Sequence, residues 1–425
     1  MSKRIWLLVS IVLLFTMAVS ACGGTTPAAP TTPPEQKPTE KPPEAPTAET
    51  GGGASLEIPD IEQGKYNVAI AMLSVHDDKG WSNAQYDGIN YLEQQMPDVH
   101  AAYIENVAEG ADSEQVFRSL ARKGFNLIIG GSFGYMDAMA AVAEEFPDLT
   151  FIHISGYKSN LKNFGNLFGA MEDMKYLAGM ISGSRAKLDG KTKVGYIATF
   201  PIPEELRLGN AFALGLRKTC PDCTMDVRWI STWHNPVTER QAADSLFDGG
   251  AHIVYTGADT PASALAAADR KGVWGITYDW SGSCTLPVCL TAPYWNWGPV
   301  FVKLVKSLRD GSYKVGWDYF DADTGGVGIY GLMEGQEMTP GMKELPEADL
   351  TLVKETLAKM LKGEFTRFDV FAGPIKDNTG KVIVPAGEKM TQPDMDQFPP
   401  GAPGLECKYC MYWWAEGVTA ELPKP

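Results

Sequence analysis

NVAIAM at Asn67–Met72, HAAYIE at His100–Glu105, NLIIG at Asn126–Gly130 and TFIHIS at Thr150–Ser155 are short apolar runs, each followed within two residues by Ser, Asn or Gly. Their length and β-branched content read as buried strands. Between them Asn83–Gln95, Ser113–Lys123 and Met136–Glu145 place apolar residues three and four apart, the spacing of a helix face. Strand and helix in strict alternation imply a parallel sheet covered by helices, an α/β fold. A second series of the same kind follows at Lys193–Ala198, Thr224–Ile230, His252–Thr256 and Val273–Thr277. Two consecutive Rossmann-like units suggest two lobes facing each other across a cleft. Thr291–Trp297 reads as an extended crossover between them, and further helices are expected near Pro299–Leu308 and Glu347–Leu361.

In open parallel sheets a ligand sits beyond the carboxyl ends of the strands. In the first unit those ends lead to Trp81, Phe133 and Tyr157, and in the second to Trp233, Asp259 and Asp279, with Trp295 in the crossover. Any one aromatic there could simply pack core. Several at matching strand ends fit a clamp for a flat ring, with Asp259 and Asp279 accepting hydrogen bonds from it. Asp259-Thr260-Pro261 reads equally well as a helix N-cap. Catalytic patterns are poor: the five histidines have no metal spacing, and no GxSxG elbow or Walker loop occurs. Gly326–Gly331 matches GxGxxG, but no βαβ unit surrounds it. The expectation is a binding protein with no enzymatic activity, no cofactor and no metal.

The first 60 residues set the location. Lys3 and Arg4, an apolar Ile5–Val19 and small residues before Cys22 read as a lipoprotein signal over 1–21, with Cys22 lipidated. Residues 22–60 form a Pro/Thr/Gly-rich tether expected to be disordered. The protein would then be extracytoplasmic and lipid-anchored at the cell membrane. A formal charge of −15 argues against nucleic acid as a partner. About 365 residues follow the tether, more than one core usually serves. Six cysteines remain in three close pairs, Cys220 with Cys223, Cys284 with Cys289 and Cys407 with Cys410. Outside the cytoplasm these read as disulfides; a zinc site or a thiol oxidoreductase using a CxxC pair is the alternative.

The runs Glu105–Asp112, Gly131–Asp137, Ser155–Lys158, Pro201–Glu204, Trp229–Pro236 and Trp295–Pro299 resemble the basic membrane protein family. The resemblance covers roughly residues 64–375. It implies a lipoprotein substrate-binding component of an ABC importer with the type I periplasmic-binding-protein fold, whose lobes are joined by three crossover segments acting as a hinge. On that basis 64–168 plus about 298–320 would form the N-terminal lobe and 169–297 plus about 321–365 the C-terminal lobe, with 366–425 as a covering segment. By position Trp81, Phe133 and Trp233 look like the family's ring-stacking aromatics, and Asp259 and Asp279 like its hydrogen-bonding positions. Trp295 stands where nucleoside binders have Lys, and Trp81-Ser82 where they have Phe-Asn, which points to a bare purine base such as adenine. The implied partners are a small molecule, a purine base or nucleoside, and an importer permease, with the chain itself a monomer. A sugar or other polar metabolite is the alternative ligand for the same fold.

Overall fold

The computed structural model describes residues 56–396 and 406–423. The expected signal segment and lipidated Cys22 lie outside the described residues.

The first lobe alternates β1 (Tyr66–Ala71), α1 (Trp81–Gln95), β2 (Val99–Ile104), α2 (Ala111–Lys123), β3 (Leu127–Gly130), α3 (Met136–Glu145), β4 (Thr150–Ile154) and β5 (Phe164–Gly169). Helix α4 (Met171–Leu188) leads into the second lobe, built from β6 (Lys193–Ala198), α5 (Pro203–Thr219), β7 (Thr224–Trp229), α6 (Pro236–Asp248), β8 (Ile253–Thr256), α7 (Ala262–Ala268) and β9 (Trp274–Ile276). Through β10 (Pro293–Trp295) and α8 (Trp297–Arg309) the chain returns to the first lobe and adds β11 (Trp317–Phe320). It then crosses once more through β12 (Val327–Ile329) to α9 (Pro340–Lys343) and α10 (Glu347–Met360). Short helices α11 (Arg367–Val370) and α12 (Gln392–Asp396) follow.

The first sheet runs β11-β5-β4-β3-β1-β2 and the second β7-β6-β8-β9, and every pairing in both is parallel. The fold is therefore the expected two-lobed α/β arrangement, with crossings after β5, before α8 and after β11. The Gly326–Gly331 run falls on β12, which pairs antiparallel with β10. That is not a nucleotide-binding βαβ unit.

Strand β5 carries no alternating or β-branched signal, yet all six of its residues are buried. Burial between β4 and β11 overrides the poor strand propensity of Gly165, Asn166 and Gly169. Helix α4 is buried on almost all sides and packs on α5. Glycine allows this approach: a Cβ on Gly215 would fall 1.9 Å from the Tyr176 carbonyl oxygen.

The C-terminal segment folds back on the second lobe. Trp413 and Trp414 are buried, and Asn210 of α5 holds the Trp413 carbonyl and the Ala415 N–H. The Gly417 carbonyl and Thr419 N–H bond Met225 and cover the exposed edge of β7. Disulfides join Cys220–Cys223, Cys284–Cys289 and Cys407–Cys410, with Cα separations of 5.3, 5.5 and 5.0 Å.

Candidate functional site

Where β1 ends, Asp78 accepts hydrogen bonds from the backbone N–H of Gly80, Ser82 and Asn83 at 2.9–3.0 Å. It thereby satisfies free amides at the start of α1 and fixes Trp81, the first residue of that helix. The Trp81 indole N–H is spent on the Gly131 carbonyl at 2.5 Å, and its ring meets Trp295 edge-on with centroids 5.6 Å apart. Phe133 stands in the turn after β3 and reaches across the cleft to Trp233, 6.4 Å between ring centroids. Trp233 is backed in turn by Phe200 at 4.8 Å.

The other wall comes from the second lobe. Asp259 follows β8, and its N–H bonds the Trp233 carbonyl at 3.3 Å. Helix α7 starts only at Ala262, with no side-chain cap, so the N-cap reading of Asp259 does not hold. Asp279 follows β9 in the left-handed region, φ 66°, where a short polar side chain is among the few that fit. It accepts the Trp295 indole N–H at 2.9 Å. One cavity between the lobes is lined by Trp81, Phe133, Trp233, Asp259 and Asp279 together with Glu204 and Glu205. Its volume is only about 30 Å³, little more than one or two waters occupy. The lobes are shut upon it: a Cβ on Gly80 would lie 1.8 Å from the Asp259 carbonyl oxygen, and the Trp280 indole donates to Asp87 of α1 at 2.7 Å.

Two of the expected site residues lie elsewhere. Trp295 is buried behind the cavity, stacked on Trp297 at 5.0 Å, and orients Asp279 instead of lining the space. Tyr157 lines a neighbouring compartment. Composition at strand ends missed Glu204 and Glu205, which open helix α5, and Lys175, which lies within α4. Pro203-Glu204-Glu205 is indistinguishable in sequence from the usual acidic first turn of a helix.

Electrostatically the cavity is short of donors. Burial, then repulsion from Asp279 and Asp78, pushes the Asp259 carboxyl well above the ordinary range. Burial raises Asp279 as well, against the pull of Lys175, and lifts Glu204 to about 7. Oδ2 of Asp259 and Oε2 of Glu204 are buried with no hydrogen-bond partner. Lys175 is fully buried, with its Nζ 3.5 Å from the Tyr278 ring centroid and 3.3 Å from the Tyr196 hydroxyl. Burial lowers it to about 8 in spite of Glu205 and Asp279. Asp78, His234 and Asp259 bring ligand atoms within 4.8 Å of one another. A cation there would compete with the amides that Asp78 already holds.

Aromatic planes from both lobes, facing carboxylates that lack donors, are binding chemistry. The model of a family described as ABC transporter substrate-binding protein, PnrA-like (Bmp), matches residues 65–362. The chain belongs to the Bmp family. A candidate ABC transporter glucose-binding protein of Haloferax volcanii is 36% identical over 278 residues, 65% of this chain and 67% of the relative. A purine-binding protein of Brucella abortus is 32% identical over 333 residues, 76% of this chain and 88% of the relative. The crystal structure of an ABC transporter solute-binding protein from Aeropyrum pernix superposes with a TM-score of 0.59 at 17% identity, over 73% of this chain and 92% of that one, which shows the shared fold. As a Bmp-family component of an ABC transporter, the protein acts outside the cytoplasm, takes a small molecule and serves a permease. Such components are not enzymes. Among the described residues no helix is long and apolar enough to cross a membrane.

Proposed function

We propose that this Bmp-family protein is held at the membrane by lipid on Cys22 and binds a purine base, of adenine type, between its closing lobes. Trp81 and Phe133 on one side and Trp233 on the other would sandwich the ring system. Stacking of this kind contributes roughly 1–3 kcal/mol per base and tolerates ring substituents. Asp259, Asp279 and Glu204 would accept hydrogen bonds from ring N–H and exocyclic amine. The observation that carries the reading is Oδ2 of Asp259, buried without a partner in a cavity walled by aromatics of both lobes. A ligand rich in N–H donors supplies what this wall lacks, and the purine-binding name of the Brucella relative agrees with it.

Closure then follows from ligand binding, because the carboxylates of the second lobe are shut off from water only at a cost that the ligand's donors offset. The crossings after β5, before α8 and after β11 would serve as the hinge. Calorimetry with adenine, guanine, hypoxanthine, xanthine and their nucleosides is the test. Heat and a raised melting temperature with at least one free base are expected. Silence from all of them sinks the purine reading.

The second reading is a sugar, favoured by the glucose-binding name of the Haloferax relative. Titration with D-glucose into the parent protein and Trp81→Ala separates the two, since a sugar held in this cavity should lose affinity in the variant.

A further inference from the structure

Beside the small cavity, and sharing Phe133, Ser155 and Glu204 with it, lies a second inter-lobe compartment of about 370 Å³. That volume falls within the roughly 300–1,000 Å³ of small-ligand clefts. Part of its wall comes from Arg367, Gln392 and Asp396, which lie beyond residue 362, where the family match ends. The C-terminal segment is thus more than a cover for the second lobe.

The charges of this wall are settled in advance. Arg207 stands 3.2 Å by Nε from Glu172, an ion pair without a hydrogen bond, and donates from Nη1 to Asp396, while Arg367 pairs with Asp321. Gln392 links the two systems, accepting from Arg367 Nε at 2.8 Å and donating to Asp396 at 2.8 Å. Guanidinium groups whose charge is already matched by carboxylates in this way are poor anchors for a phosphate or a further carboxylate. Between them stand the aromatic residues Tyr157, Phe168, Trp317 and Tyr319 and the acceptors Asp318 and Glu204. Free acceptors beside charge-matched guanidinium groups, over aromatic surface and with no uncompensated cation, match a ligand that is neutral, carries many hydroxyls and has apolar C–H faces.

We propose that this compartment is a second ligand subsite, built in part by the C-terminal segment, that takes a neutral polyhydroxylated group of pyranose size. It is separate from the purine reading, since its walls beyond the shared residues are different. D-Glucose, D-galactose and D-ribose are the probes, titrated by calorimetry into the full chain and into the Gln392→Ala, Asp318→Ala and Trp81→Ala variants. Melting curves confirm that each variant folds. At least one sugar should bind the parent protein, about tenfold or more weakly in both Gln392→Ala and Asp318→Ala, and within roughly twofold of the parent in Trp81→Ala. No binding of any of the three sugars overturns the proposal. So does a loss that follows Trp81→Ala and spares the other two, which would place the sugar in the small cavity. Adenine titrated into the same samples reports on the purine reading independently.

Discussion

Facing each other across the cleft, Asp78 and Asp259 carry the same side chain in opposite circumstances. Both are buried, at 7% and 6% exposure. Asp78 accepts three backbone N–H groups, whereas Asp259 leaves Oδ2 with none. The contrast extends to a neighbour on each wall. On the first lobe the Trp81 indole is used on Gly131 and the Ser132 hydroxyl on Glu109. On the second, Glu204 shares the deficit of Asp259. One wall is finished and supplies shape, and the other is unfinished and supplies demand. A buried acceptor without a donor costs about 1–3 kcal/mol, so the second wall makes the shut state conditional on something that fills it.

The largest expected effect comes from keeping the walls apart. In Gly80→Ala the added methyl meets the Asp259 carbonyl oxygen, so the binding-competent shut state becomes rare, and adenine affinity should fall roughly a hundredfold. Small-angle scattering should show the variant staying extended when adenine is added. Tight binding with full compaction would show that Gly80 does not limit closure.

Next are the two aspartates themselves. Asp259→Ala should weaken adenine about 10- to 100-fold and raise the melting temperature of the free protein, since a buried, repelled carboxyl is gone. Asp78→Ala should do the reverse for stability, lowering it by about 1–2 kcal/mol as a lost helix start does. If both substitutions lowered melting equally, the contrast would fail. Trp233→Ala is expected to cost about 1–3 kcal/mol of binding in the same calorimetric assay, the worth of one stacking face.

Much of the fold is legible in the sequence, though this contrast is not. Strands such as Lys193–Ala198 and helices such as Met136–Glu145 are clear because period and composition agree there. Trp81, Phe133, Trp233, Asp259 and Asp279 stand beyond strand ends, where ligands of open sheets gather, and they line one cavity. What was hidden depends on long-range packing. β5 is a strand because β4 and β11 enclose it, and Lys175 looks like any solvated helix lysine until α4 is seen to be buried all round. Trp295 misled because an aromatic in a crossover looks the same whether it faces a ligand or supports the aspartate that does.

The subtlest test is the pH dependence of the ligand-free protein, where the unfinished wall should leave a signature. Glu204 is lifted to about 7 from an ordinary 4.5, so between those values the folded form holds a proton that the unfolded chain has lost. Stability therefore falls as pH rises through that window, and Asp259 and Asp279, also raised, act in the same direction. Lys175 is lowered to about 8 from 10.5, so between those values the unfolded chain binds the extra proton and stability rises with pH. Ion-paired carboxylates such as Asp189 and Asp226 are depressed, and the stability they contribute is lost only in acid below their ordinary 3.8. Buried His153, lowered to about 4 from 6.5, opposes the raised carboxylates between those values, so the melting temperature should trace a shallow trough whose fall is clearest between about 6.5 and 7 and whose rise runs from about 8 to 10. Glu204→Gln should flatten the acid side and Lys175→Met the alkaline side, while a monotonic profile would mean that these groups titrate normally and that the second wall is hydrated. Saturating ligand should fill the acid side of the trough, since donors placed on the carboxylates favour their charged forms.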